Sequence, residues 1–204
     1  MKALWSAVFV VVFAWSAIKP YGWLTWFLGM LPALATVLIL GATRARFPLT
    51  PIASQLLLLL CVIILIGAHY SSERVPLFDW IRSYTGGSRN NFDKFAHFFQ
   101  GFVPAIAIRE ILVRFSVVLT PLCLAPIVVG LCLAVSAAYE LVEWAVALTL
   151  DGAAEAFTAA RSDPWDAQSD MALALLGAIC ALVFLSRVHD RQLGDLPAYG
   201  AKCP

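Results

Sequence analysis

Six long apolar runs, separated by short polar or proline-bearing breaks, organise the chain. They fall at about 3–18, 22–43, 52–70, 93–115, 120–149 and 169–187. A hydrocarbon core about 30 Å thick takes roughly 20 apolar residues of helix, so each run has about the length of one crossing. The breaks read "IKPYG", "TRARFPLTP", "SSERVPLFDWIRSYTGGSRNNF", "VRFSVVLTP" and "DGAAEAFTAARSDPWDAQ". Proline and glycine interrupt helices, and charged side chains resist transfer out of water. The pattern predicts an all-α fold: a polytopic membrane helix bundle of about six transmembrane helices, formed by one integral-membrane domain over 1–204. The third break reads as a long polar loop. The fourth run is the least apolar, with Asp93, Lys94, His97 and Gln100 at one end and Arg109, Glu110 and Arg114 at the other. Pro104 lies between these ends and is expected to kink it.

Composition agrees with the pattern. Of the 204 residues, 61% are hydrophobic and 13% charged, whereas a soluble domain carries roughly a quarter charged residues. A net charge of +1 gives no basis for a nucleic-acid partner. Cys61, Cys123, Cys132 and Cys180 lie inside apolar runs and Cys203 in the tail, which suits small apolar filler rather than a disulfide framework. Met1-Lys2 and the first run resemble a signal peptide, but no small-x-small site closes the run, so an uncleaved first span is expected. Eight of the 14 basic residues, among them Arg44, Arg46, Arg187 and Arg191, fall on one side if the runs alternate. The positive-inside rule then places both termini in the cytoplasm, with 71–92 and 150–168 outside. The bilayer itself is the expected partner.

The polar residues inside the runs gather at one level. Glu140 and Glu143, in "AAYELVEWAV", are three apart and share a helix face. Asp166 and Asp170 begin the sixth run, Asp93 and His97 begin the fourth, and His69 with Tyr70 ends the third. All lie toward the outer ends of their helices. Ionisable groups at such depth face a protein interior or a wet cavity. The four acids on the fifth and sixth runs need protons, a neighbouring cation such as Lys94, or a bound metal. Carboxylate with imidazole suits Zn²⁺, Mn²⁺ or Fe²⁺. Asp166 is also expected to cap its helix, and Asp170 to gain from the positive helix start. Ala172, Ala174, Gly177, Ala178 and Ala181 permit close helix approach there. At the opposite end, Arg109 and Glu110 are expected to pair with each other or with near neighbours, and His189 is assigned to the cytoplasmic tail.

Four blocks, "GAHY", "DKFAHFFQGFVPAIAIRE", "AYELVEW" and "DPWDAQSDM", occur in order between about 67 and 178. Together they resemble the YjdF-type family of bacterial inner-membrane proteins. More distantly, Asp93-Lys94 with His97, the acidic fifth helix and the final Asp-plus-small-residue helix resemble the VanZ-like family. The resemblance implies a multi-pass inner-membrane protein and carries no established activity. It matches His69, Asp93, His97, Glu140, Glu143, Asp163, Asp166, Gln168 and Asp170.

Three functions compete. In the first, His97, Glu140, Asp166 and Asp170 hold a divalent metal, and Glu140 or Glu143 serves as catalytic base. The protein would then be a hydrolase or transferase acting on a lipid or lipid-linked envelope substrate. His69, Asp93, Asp163 and Gln168 would complete the polar cluster. In the second, the glutamates titrate in a proton-coupled transporter. In the third, the cluster only locks helices together in a structural or accessory protein. The residues specify neither a substrate nor an oligomeric state.

Overall fold

The computed structural model describes residues 2–117, 120–149 and 164–196. All regular structure among them is helical: α1 (Lys2–Ser16), α2 (Trp23–Thr43), α3 (Pro51–Tyr70), α4 (Pro76–Thr85), α5 (Phe92–Arg114), α6 (Pro121–Thr149) and α7 (Asp166–Gly194). Five of these, α2, α3, α5, α6 and α7, are long and apolar enough to cross a bilayer. The sequence pattern points to about six crossings. The difference is α1, whose 15 residues fall short of the roughly 20 a full crossing takes. It nonetheless runs beside α3, with Trp5 Nε1 donating to the Ser54 carbonyl at 2.9 Å and His69 Nδ1 lying 3.0 Å from the Ser16 carbonyl.

The stretch read as a polar loop contains α4. Pro76 occupies its first turn and Gly86, at φ 71°, caps it in the left-handed region, where glycine carries no Cβ penalty. Leu77, Trp80, Ile81 and Tyr84 are exposed at helical spacing. Phe78 turns the other way, its ring 5.4 Å from those of Phe92 and Phe95. Asn90 fastens the helix start by donating Nδ2–H to the Val75 carbonyl at 3.0 Å.

Contacts fix the helix directions. Asp170 meets the start of α5 through Lys94, and Asp190 meets its end through Arg109, so α5 and α7 run parallel. α6 returns between them. α3 runs opposite to α5, since Thr50 meets Glu110 and Gly67 meets Phe92. One end of the bundle therefore holds the starts of α5 and α7 with the ends of α3 and α6.

α5 and α7 form the tightest pair. A Cβ on Gly101 would overlap the Ala174 carbonyl, and one on Gly177 would overlap the Phe98 carbonyl and stand 2.9 Å from the Phe102 nitrogen. Each helix thus presents a glycine to the other's backbone. Ala105, Ile106, Val128, Cys132, Ala178 and Ala181 fill the layer below. The outer surface is apolar instead, with Leu4, Val10, Leu38, Leu122, Leu141, Val183 and Phe184 all exposed, while Asp93, His97, Glu110, Asp170 and His189 are buried. Polar groups inside and hydrocarbon outside is the arrangement a lipid solvent selects.

α7 continues past 187 to Gly194. His189 is accordingly not in a solvent-exposed tail: it is fully buried against α5. Ser54 to Tyr70 of α3, by contrast, faces α1 and α2 through Phe9, Met30, Ala33, Cys61, Leu65 and Ala68.

Candidate functional site

Acids, an imidazole and two cations converge where α5, α6 and α7 meet. Asp166 opens α7, and Trp165, before it, makes no side-chain cap. The expected capping role of Asp166 is replaced by ion pairing: Oδ1 accepts from Lys94 Nζ at 2.6 Å and from Arg89 Nη1 at 2.9 Å. Burial opposes the charge on Arg89, and the Asp166 hydrogen bond and field outweigh that cost, moving its pKa upward. Lys94 also donates to the Ser169 hydroxyl and stands 3.0 Å from Asp170 Oδ1. That last contact is an ion pair, and among the described residues Asp170 Oδ1 has no other polar partner at hydrogen-bond distance.

One turn deeper, His97 faces carboxylates from two helices. Its Nε2 lies 3.8 Å from Asp93 Oδ1 and 3.6 Å from Glu140 Oε1, both too long for hydrogen bonds. His97 is 2% exposed and Asp170 1%. His97 Nδ1, Glu140 Oε1 and the Ser136 hydroxyl, one turn from Glu140, are buried without a hydrogen-bond partner among the described residues. Buried polar atoms normally find one. Asp93, His97 and Asp170 offer ligand atoms within 4.8 Å of one another. Tyr139 sets its ring edge-on to His97, 6.0 Å between centroids, and Glu143 lines the cavity that His97 and Asp93 also line.

Charge divides this assembly in two. Arg89 and Lys94 balance Asp166 and Asp170. Among the described residues no Lys or Arg lies within ion-pair distance of Asp93, Glu140 or Glu143. Three carboxyl groups therefore share a poorly solvated space with one imidazole, and protons or a further cation must balance them.

The sequence-derived positions are not all neighbours. The structure brings together Asp93, His97, Glu140 and Asp170, with Glu143 in the adjoining cavity and Asp166 on the cation side. His69 is elsewhere, bonded to the Ser16 carbonyl and with its ring tilted 4.5 Å from that of Trp15. Gln168 is exposed. Asp163 lies outside the described residues. Cys61, Cys123, Cys132 and Cys180 are free thiols.

A second buried polar cluster occupies the opposite end. Glu110 accepts from the Thr50 N–H at 2.9 Å, the Thr50 hydroxyl at 2.6 Å and Arg114 at 2.8 Å. Arg109 Nη1 donates to His189 Nδ1 at 3.0 Å. A guanidinium cannot accept, so His189 carries its proton on Nε2 and donates it to Glu110 Oε2 at 3.2 Å. Arg109 pairs with Asp190 at 2.6 Å. Arg109 thus pairs with α7, and Glu110 with its near neighbour Arg114, with Thr50 and with His189, rather than the two with each other. The missed signal was phase: His189 continues the buried stripe of Asp170, Ala174, Ala178 and Ala181 on α7.

A bundle that is apolar outside and acidic within is an integral-membrane protein with a buried polar site. The comparisons give it a family. Residues 1–191 match the family described as "Predicted membrane protein (DUF2238)", and the chain belongs to it. It is 42% identical over 183 residues to the inner membrane protein YjdF of Escherichia coli (strain K12), covering 90% of this chain and 88% of that one. No solved structure matches the chain.

Proposed function

We propose that the chain is a membrane enzyme built on a divalent-cation centre, with Asp93, His97 and Asp170 as ligands, Glu140 as a fourth donor and Glu143 as the proton acceptor. The reading rests on one observation. The His97 Nε2 contacts to Glu140 and Asp93, at 3.6 and 3.8 Å, are too long for hydrogen bonds. They are near the spacing of two ligands around one ion, about 3.4 Å for tetrahedral bonds of about 2.1 Å. Zn²⁺, Mn²⁺ and Fe²⁺ all suit imidazole with carboxylates. An ion held there would supply Lewis-acid chemistry to a phosphoryl or acyl oxygen or to water, and Glu143 would accept the proton lost by the attacking water. The supported reaction class is hydrolysis or group transfer on a lipid or lipid-linked substrate. With both termini cytoplasmic, as the basic residues suggest, the centre lies beneath the outer surface.

A transport pathway finds less support. Between the two polar clusters the core is filled by Val103, Ala105, Ile106, Val128, Cys132, Ala174 and Ala178, each at most 1% exposed. Such a layer offers no relay for protons.

Elemental analysis of the purified chain tests the cation centre. About one Zn, Mn or Fe per chain is expected in the wild type, and loss of it in His97→Ala. Metal-free wild-type protein whose stability is indifferent to a chelator overturns it.

A further inference from the structure

The centre borders a cavity of about 400 Å³, within the 300–1,000 Å³ range of small-molecule sites. Its chemistry changes along its length. Ser72, Asp93, His97 and Glu143 lie at the end near the polar cluster, whereas Pro32, Leu60, Ile64, Pro104 and Val135 line the deeper part. α2 and α6 both line the cavity but do not pack as neighbouring helices. Val135 and Val142, two of the five α6 residues that line it, are 47% and 54% exposed, so this edge of α6 also belongs to the apolar outer surface. A smaller cavity of about 260 Å³ at the other end holds neither acid nor imidazole.

We infer that this slot admits a single-chain amphiphile sideways from the bilayer, between α2 and α6. The hydrocarbon chain lies along Leu60, Ile64 and Val135, and the head reaches Asp93, His97 and Glu143. The head class is a phosphate. This part rests on the cation-centre reading, because only a bound cation turns an acidic pocket into an acceptor for an anion. The unpartnered Nδ1 of buried His97, on a ring that lines the slot, is a polar group for the head to engage. Lateral entry follows from solubility: a long-chain phosphate ester resides in the membrane and arrives from it.

Photo-crosslinking tests the slot. The full-length chain in lipid nanodiscs, loaded with Zn²⁺, is illuminated with dodecyl phosphate carrying a diazirine at its chain end, and labelled peptides are mapped. Label concentrated on Leu60, Ile64 and Val135 is expected. Val135→Trp places an indole on a half-exposed lining position and should lower labelling about tenfold, a loss of about 1.4 kcal/mol of binding. Val183→Trp, on the lipid-facing side of α7, should leave it unchanged. Label spread evenly over exposed positions such as Val10 and Phe184, or indifferent to Val135→Trp, overturns the slot. Repeating the reaction in chelator separates the two readings. Label that stays in the slot contradicts the cation centre and upholds the slot, whereas label absent from the slot with Zn²⁺ bound contradicts the slot alone.

Discussion

Two buried histidines, His97 and His189, have opposite surroundings. His189 has both ring nitrogens engaged, by Arg109 and Glu110, and Glu110 accepts from three further donors. That saturation marks a structural lock joining α3, α5 and α7. Removing one member of a buried ionic network costs about 3–5 kcal/mol, so Glu110→Ala should lower unfolding stability in detergent by that amount. His97 has carboxylates near it but an unpartnered Nδ1. Its replacement by alanine should cost distinctly less stability than Glu110→Ala while abolishing metal retention; equal losses in denaturant titrations would show that both clusters are merely structural. Glu143→Gln, nearly isosteric, should keep fold and metal yet abolish turnover of a phosphate-ester amphiphile. Acidification should also release the ion. Metal ligands must be deprotonated, so stabilisation by the ion is present at neutral pH and fades as pH falls; unfolding midpoints measured with and without metal across pH 7 to 4 should converge at the acid end.

Helix α5 carries Asp93, His97, Gly101, Ala105 and Arg109 at intervals of four, and α7 answers with Asp166, Asp170, Ala174 and Ala178. Polar residues at the ends and small ones between them let the helices touch along their length. The small-residue stripe was legible in the sequence, and so was the convergence of Asp93, His97, Glu140 and Asp170, because helical phase and depth fix those positions. Lys94 was legible as a counter-charge, but the Arg89–Asp166 pair was not, since it depends on the loop before α5 folding back onto α7. α4 was hidden by its polar setting, although Pro76, the Leu77–Trp80–Ile81–Tyr84 spacing and Gly86 were visible cues. Gly177→Val tests the α5–α7 contact. Overpacking costs about 1–3 kcal/mol or more, and here the obstacle is the Phe98 carbonyl, a backbone atom that cannot turn aside. The variant should be poorly recovered as folded protein by size-exclusion chromatography, whereas Gly41→Val, with open space around it, should behave as wild type.

At the scale of the whole chain, run lengths located the helices: the five long helices are joined by the shorter α1, which runs beside α3 from the level of Ser54 to that of His69. Helix directions are firmer: the starts of α1 and α6 and the ends of α2, α5 and α7 share one end of the bundle. Reporter fusions at Lys2 and after Gly194 should therefore report the same compartment, and opposite compartments would contradict this order. Whether Asp93, His97 and Asp170 hold a cation is decided by thermal unfolding of metal-stripped protein with added Zn²⁺ or Mn²⁺. An ion at 100 times its Kd stabilises by about 2.7 kcal/mol, worth a rise in Tm of roughly 5–10 °C for a chain of this size. The wild type should show that rise and His97→Ala and Asp170→Asn should not; an equal response, or none, in all three proteins would mean that these side chains hold no ion.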